Sequence, residues 1–457
     1  MDPRENDADY TKIDNFDTVM DEANNSGYNF PYDKNKKKKR IILCLIIFIL
    51  IIIIGIAAYL YLKKKDDDED DTDDTDNKCD SGLVLKDGEC VPFNYSIKAI
   101  CNTKKKKENI KLINTKLEYI TEMAIDSKVV KPCLEYKFAS SGNHEILIMM
   151  NLTEIKSLNR LFNNVNNVIS ISFTDLINTE NINDMKYMFN NCTSLTSVDL
   201  TNFDVRNVDD MNHMFYNCHS LKSLDLSNFN SEKLLNLDYM FFNCSSLTSI
   251  NLPKFKAKHL IDLSYLFYNC NSLKEIKFDD FDTFNAIDTS FMFYNCSSLL
   301  SLNLKNFDTK NVVNMTSMFD NCVSLKSIDI SNFDTSSVIN AEKMFQNCLS
   351  LDSIKIAEFT DQNLISINYM FNGCSSIKSL DLSNFDFEKE IKMEYLFYHC
   401  TNLEYLDISS IKTISGAKNT LFSDDIETEG KIKIHENIKN DIESILPKNW
   451  DIDDTVN

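Results

Sequence analysis

Cysteine is the residue with the widest chemical scope in this 457-residue sequence, which contains 14 of them. Nine recur at a fixed spacing of 26 residues: Cys192, Cys218, Cys244, Cys270, Cys296, Cys322, Cys348, Cys374 and Cys400. A zinc or redox centre would need thiols that converge, usually in pairs with about two to four intervening residues. One thiol per repeat beside a Met-Phe pair is instead the pattern of a small buried hydrophobe. Equivalent positions on stacked repeats also lack the side-chain vectors a disulfide needs. The nine are expected to form a structural ladder. Cys79, Cys90, Cys101 and Cys133 lie in a short charged stretch that suggests two disulfides. The favoured pairing is Cys79 with Cys90 and Cys101 with Cys133, although sequence alone does not fix the connectivity. The six histidines share no repeat slot or ligand spacing, so no metal is expected. Only 8 glycines are present, and there is no phosphate loop, nucleophile elbow or His-Glu metal helix. The expectation is a non-enzyme without cofactor or catalytic residues.

The remaining chemistry is recognition. A formal charge of −21 argues against nucleic acid as a partner, because phosphate recognition depends on a basic face. Each repeat contains a Leu-x-x-Leu-x-Leu spacing, as at Leu325, Ile328 and Ile330, in which apolar residues alternate as on one face of a strand. Ser301, Asn303, Ser327 and Asp329 alternate with Leu302, Leu304, Ile328 and Ile330, so they should face outward. Stacking would gather these four into one patch, the candidate site for a protein ligand. The alternative is a structural coat whose strand face is merely soluble.

The elements that would hold this patch follow from the repeat. Phe189, Phe215, Phe241, Phe267, Phe293, Phe319, Phe345, Phe371 and Phe397 fill one slot, and Phe203, Phe229, Phe255, Phe281, Phe307, Phe333, Phe359 and Phe385 fill a second. After the Phe-Asp-Thr turn, Val312, Met315, Met318 and Phe319 have the spacing of a helical or 3₁₀ return arc. A single coil cannot bury both its strand side chains and this ridge, so the coils must stack. The expected fold is an α/β-type solenoid, a leucine-rich-repeat-like right-handed coil with one parallel β-sheet. It should span residues 158–411, between a small cysteine-bearing module at 79–157 and a C-terminal cap or tail at 412–457.

Residues 41–62 form an apolar run of 22 residues without a charge. As a helix it would reach roughly 33 Å, enough for a bilayer core of about 30 Å. Six basic residues at positions 34–40 precede it, and nine carboxylates within residues 66–76 follow it. The positive-inside bias predicts a single-pass signal-anchor helix in the plasma membrane, with a disordered cytoplasmic tail at 1–40. The acidic stalk at 63–78 and the repeats would then lie outside the cell. In a glycosylating lumen Asn94, Asn151, Asn191, Asn243, Asn295 and Asn314 would be acceptor sequons.

The repeated frame, as in MFDNCVSLKSIDISNFDTSSVINAEK from Met318, resembles the 26-residue repeat of the BspA-like leucine-rich-repeat surface proteins. The resemblance covers residues 161–411 and involves length, cysteine, aromatic and turn positions together. It implies display on a cell surface and adhesion to protein ligands on other cells or matrix. The chain departs from the secreted pattern in having an N-terminal apolar anchor.

Overall fold

The computed structural model describes residues 79–453, apart from 81, 87–88, 153–154, 175–176, 253–258, 279–280 and 361. The predicted anchor, cytoplasmic tail and acidic stalk, up to residue 78, lie outside the described residues. Among the described residues no helix is long and apolar enough to cross a membrane.

The repeats fold as a β-solenoid of stacked parallel coils. Like residues stack on like because the register equals the repeat: Ile250 pairs with Ile276, Ile328 with Ile354, and Leu380 with Leu406. The strand segments are only three or four residues long, as in Ser249–Leu252 beside Glu275–Phe278 and Ser327–Asp329 beside Ser353–Lys355. Where one continuous sheet was expected, the described strands pair in separate parallel groups. The physical reason is the turn that follows so soon. There a side chain takes over from the backbone, with Asn332 Nδ2 donating across the coils to the carbonyls of Leu304 and Phe307, each at 3.2 Å. Asn228 does the same to Leu200 and Phe203. That explains the recurring Asn-Phe pair.

Of the predicted helical or 3₁₀ return arc, the structure keeps only isolated turns with the three-residue-back hydrogen bond, and no helix forms there among the described residues. A run of single-residue parallel bridges joins coil to coil from Ser157 through Asp184, Asp210 and Asn236 to Lys392. Beyond it the arc alternates two kinds of hydrogen bond. Tyr239, Phe241 and Asn243 donate their amides across to Ser264, Leu266 and Tyr268 of the next coil, at 3.2, 3.0 and 2.7 Å. Between them, Met240, Phe242 and Cys244 donate three residues back within their own coil. The three- and four-residue spacing of buried side chains therefore comes from consecutive turns. Each pair of turns needs two left-handed residues four apart, such as Tyr239 at φ 55° and Asn243 at φ 61°. Asparagine tolerates that conformation better than most residues, which accounts for the Asn before seven of the nine repeat cysteines; His399 takes the slot before Cys400 at φ 60°. In one coil Gly373 takes the slot at φ 76°, where a Cβ would meet Asn347 Oδ1 at 2.5 Å.

The core is a set of side-chain files along the solenoid. The first phenylalanine slot stacks from Phe162 to Phe397, with nearly parallel rings such as Phe293 and Phe319 at 5.4 Å and Phe319 and Phe345 at 5.4 Å. All nine repeat cysteines are buried free thiols. Each S–H donates to the carbonyl of the phenylalanine 29 or 30 residues before it, as Cys322 does to Phe293 at 3.2 Å. Cysteine is thus small enough for the file and satisfies a carbonyl inside a dry core. Burial pushes these thiols up, to about 12 at Cys192, Cys244 and Cys400.

Both ends are capped by β-structure. In the N-terminal module the strand Ile97–Thr103 pairs antiparallel with Gly142–Met150 on one side and with Val168–Phe173 on the other. Val168–Phe173 in turn pairs parallel with Ser197–Asp199, so one six-stranded sheet runs from the module into the solenoid. At the far end the coiling does not stop near residue 411. Gly430–Ile434 and Trp450–Ile452 add two further parallel strands beyond Tyr405–Ile408. Gly430 makes this closure fit, since a Cβ there would lie 2.4 Å from the Trp450 ring. Replacing Phe319 by alanine removes a fully buried ring from the middle of a file. It is expected to destabilise the fold by about 3–5 kcal/mol, read as a lowered midpoint in denaturant unfolding.

Candidate protein-binding surface

On the strand side, Ser301, Asn303, Ser327 and Asp329 are all exposed, while Leu302, Leu304, Ile328 and Ile330 beneath them are buried. Ser327 and Asp329 lie on a paired strand; residues 301–304 lie outside any named strand but keep the same alternation of exposed and buried positions. Asp329 is engaged locally. Its carboxylate accepts from the Ser331 amide and hydroxyl and faces Lys355 of the next coil at 3.1 Å. Those contacts hold its pKa below the usual carboxylate range, the Ser331 hydroxyl first. Lys378 and Glu404 repeat the inter-coil pairing at 3.0 Å. This face is polar and of mixed charge, and it is laced together along the stack.

The module cysteines do not all pair as expected. Cys79 and Cys90 are joined across the hairpin formed by Leu83–Lys86 and Glu89–Pro92. Cys101 and Cys133 are free thiols. Two strands, Gly142–Met150 and Ile120–Ile125, separate the strand of Cys101 from the edge strand Lys128–Val130 that precedes Cys133. At about 4.8 Å per strand that spacing exceeds the reach of a disulfide. Cys133 instead packs its sulfur 3.8 Å from Met123 Sδ. Burial, reinforced by Asp126, pushes Cys101 up to about 12.

The same module contains a constellation that sequence reading missed. His144 Nδ1 lies 2.6 Å from Asp126 Oδ2, and its Nε2 lies 3.2 Å from Thr103 Oγ1. The order acid, imidazole, hydroxyl is that of a nucleophile relay. The setting is structural, however: Thr103 and His144 are buried, and the hydroxyl also lies 3.0 Å from the Ser140 carbonyl. The Asp126 carboxylate accepts from the Glu145 amide too, pinning a left-handed turn at Asp126 and Ser127.

Three predicted sequons occupy the left-handed slot of the arc. Asn191, Asn243 and Asn295 form part of an amide ladder, each donating Nδ2 to the asparagine one coil before: Asn164 at 2.9 Å, Asn217 at 2.9 Å and Asn269 at 2.8 Å. The nitrogen that would carry a glycan is therefore engaged. Asn314 donates to Asp288 at 3.2 Å, whereas Asn94 and Asn151 are exposed.

The arc also carries half-buried aromatic files that the repeat phenylalanines overshadowed in the sequence. Tyr239, Tyr265 and Phe291 stack at 4.5 and 4.7 Å, and Phe242, Tyr268 and Tyr294 stack at 4.5 Å each. They were detectable from their own 26-residue spacing. In the next coil Asp320 replaces a ring, accepting from Ser317 Oγ and Asn321 Nδ2 while 4% exposed. Burial pushes its carboxyl up to about 7.

Residues 338–444 match the family model of the BspA type leucine rich repeat region, which has six copies. Residues 156–277 and 261–379 match a model described as a Mycoplasma protein of unknown function, DUF285. The C-terminal part of the repeat array, residues 338–444, is thus of the BspA leucine-rich-repeat type. Among solved structures, a leucine-rich repeat protein from Bacteroides ovatus ATCC 8483 is 19% identical, over 71% of this chain and 89% of that one, with a TM-score of 0.31. The receptor chain of a TLR13–ssRNA13 complex is 17% identical over 56% of this chain and 45% of that one, with a TM-score of 0.25. Superpositions this loose carry no argument about ligands. No curated protein matches the chain.

Two outcomes follow from this geometry. A carboxyl raised in the fold stays protonated there after the unfolded chain has ionised, so Asp320 subtracts stability as pH rises from about 4 towards 7. Asp320→Asn should therefore leave the unfolding free energy nearly unchanged at pH 4 and raise it at pH 8, by an amount on the order of 1–3 kcal/mol, read from denaturant unfolding at the two pH values. An equal effect at both pH values would contradict the assignment. If the chain is expressed through a glycosylating secretory route, peptide mapping should find glycan at Asn94 and none at Asn191, Asn243 or Asn295.

Proposed function

We propose that this chain is a cell-surface binding protein: residues 41–62 anchor it in the plasma membrane, the N-terminus is cytoplasmic, and the solenoid engages protein ligands on other cells or matrix. The reading rests chiefly on the strand face, where Ser301, Asn303, Ser327 and Asp329 stand exposed over a buried aliphatic layer. Leucine-rich-repeat solenoids offer such extended faces to proteins, each coil adding one set of side chains to a continuous surface. Two further observations support display outside the cytoplasm. Basic residues cluster before the apolar run, and the Cys79–Cys90 disulfide suits an oxidising compartment. In this reading the chain binds and does not catalyse.

The experiment uses cells displaying the full chain, probed with a panel of purified matrix and cell-surface proteins. Changing Ser301, Asn303, Ser327 and Asp329 together to alanine should keep stability within roughly 1–2 kcal/mol, as exposed positions do. It should also abolish capture of the ligand that the unaltered chain binds. Capture undiminished by the fourfold change would sink the strand-face site, and no capture of any panel member would favour a coat. External protease should remove a C-terminal tag from sealed cells and spare one at Met1; the opposite digestion would overturn the topology.

A further inference from the structure

The outer arc, on the other side of the coil from the strand face, displays a second surface. Leu235, Ile261 and Ile287 form a row of aliphatic side chains 45, 47 and 44% exposed, one coil apart along the bridge ladder. Beside this row lie the carboxylates of the bridge ladder, Asp262 and Asp288, and two residues past the Asn236 rung Asp238, which accepts from Asn212 Nδ2 and is pushed up to about 6 by burial; none of the three has an ion-pair partner among the described residues. The two aromatic files lie next along the arc, rings stacked face to face with their edges half-buried. The arc stretches 208–217, 234–243, 260–269 and 286–295 contain no lysine or arginine.

We infer that this arc face binds an extended protein segment in which arginine or lysine alternates with apolar residues. The inference rests on the proposed reading of the solenoid as a protein-binding array and adds a second face to it.

Charge complementarity identifies the occupant, and the molecule supplies its own precedents at the margins of the surface. Arg160 lies over the Tyr187 ring at 5.2 Å, and Lys343 lies over Tyr369 at 5.7 Å. Lys186 reaches Asp210, the carboxylate of the bridge rail in its neighbouring coil, at 3.3 Å. In the coils between, the rings and carboxylates recur without the cation. A cation held between a ring and a carboxylate is attracted by both the ring quadrupole and the charge. The aliphatic row would cover the apolar part of the same segment. Tyrosine-rich surfaces bind proteins well because the rings give large contact area at small entropic cost. An anionic partner such as nucleic acid or an acidic lipid surface would meet only repulsion here.

The repeats themselves show which substitutions the arc tolerates. Asn236 and Asn314 occupy the slot of Asp262 and Asp288, and Ser264 and Ser290 occupy that of Asp238. Ser317 and Asn372 likewise occupy the slots of Tyr265 and Tyr268. Two variants follow: Asp238→Ser with Asp262→Asn and Asp288→Asn, and Tyr265→Ser with Tyr268→Asn. A charge-matched control, Asp199→Asn with Asp225→Asn and Asp381→Asn, removes three carboxylates from the strand side, where Asn251 and Asn303 already sit.

Binding is measured by fluorescence anisotropy on the purified full chain in detergent. The probe is a short synthetic peptide alternating arginine with valine, and a second peptide has glutamate in place of arginine. The expected result is binding of the arginine peptide alone, weakened at least about fivefold by each arc variant, as loss of interface anchors does. The strand-side control and the fourfold strand-face alanine variant should bind within about twofold of the unaltered chain. Equal weakening by the control would mean attraction to net charge only and would overturn the site. So would binding of the glutamate peptide, or arc variants that bind like the unaltered chain. If the ring variant fails to fold, the carboxylate variant decides alone, because it leaves the files intact. Failure here with strand-face capture intact removes the second face and leaves the proposed function standing.

Discussion

The constraint on which the rest of the structure depends is the hydrogen bonding of one coil's arc to the next. A repeat of 26 residues has too few backbone bonds of its own to be stable alone. Its strand is three or four residues long, and the turn after it relies on an asparagine side chain to reach its neighbour. The arc closes the account of polar groups by sending alternate amides sideways, as Phe319 does to Met344 and Asn321 to Gln346. Because the sideways bonds match equivalent residues, every side chain is held over its counterpart. The phenylalanine and cysteine files follow from that register.

This arrangement carries a conformational cost that the sequence discharges in two ways. Two left-handed residues per coil are unfavourable for anything but glycine and, less so, asparagine. At the second position the chain uses asparagine and links the amides into a ladder, as from Asn191 to Asn217 to Asn243. At the first position it uses mostly tyrosine, histidine and phenylalanine, whose rings stack on neighbouring coils as His213 does on Tyr239 at 4.6 Å, with Arg160, Ser317 and Lys343 in three coils. The rings that relieve the turn are also what the arc shows to solvent. Structure and a recognition surface thus share the same side chains, and the strand face, with its serines, aspartates and lysines, is chemically distinct from it.

Much of this was legible from the repeat alone. Strict spacing assigned the buried cysteines and phenylalanines, the alternation at Leu302 to Leu304 and Ile328 to Ile330, and the exposed polar residues between them. The error on the arc came from periodicity, because consecutive turns bury positions such as Met315, Met318 and Phe319 at the same intervals as a helix. A helical arc gives no reason for asparagine before seven of the nine repeat cysteines, and that residue was the available clue. The Cys101 to Cys133 pairing failed because strand order in the module, which places two strands between them, is set by long-range contacts no local pattern encodes. A C-terminal cap or tail at 412–457 was expected, but its form was not: Gly430–Ile434 and Trp450–Ile452 continue the sheet after the Cys-Phe frame has lapsed, so register persists without the motif that announced it.

The central claim is that coil-to-coil register seals one dry core from end to end, and the repeat thiols report on it directly. The measurement is time-resolved alkylation with mass mapping, first in native buffer and then in rising denaturant. With burial and pKa values raised by it, none of the nine repeat cysteines should label in native buffer. In denaturant, Cys270, Cys296 and Cys322 should label together and last, since central coils have neighbours on both sides. Labelling of Cys296 or Cys322 in native buffer, while Cys192 and Cys400 stay protected, would show that the middle of the stack opens on its own and would contradict the account.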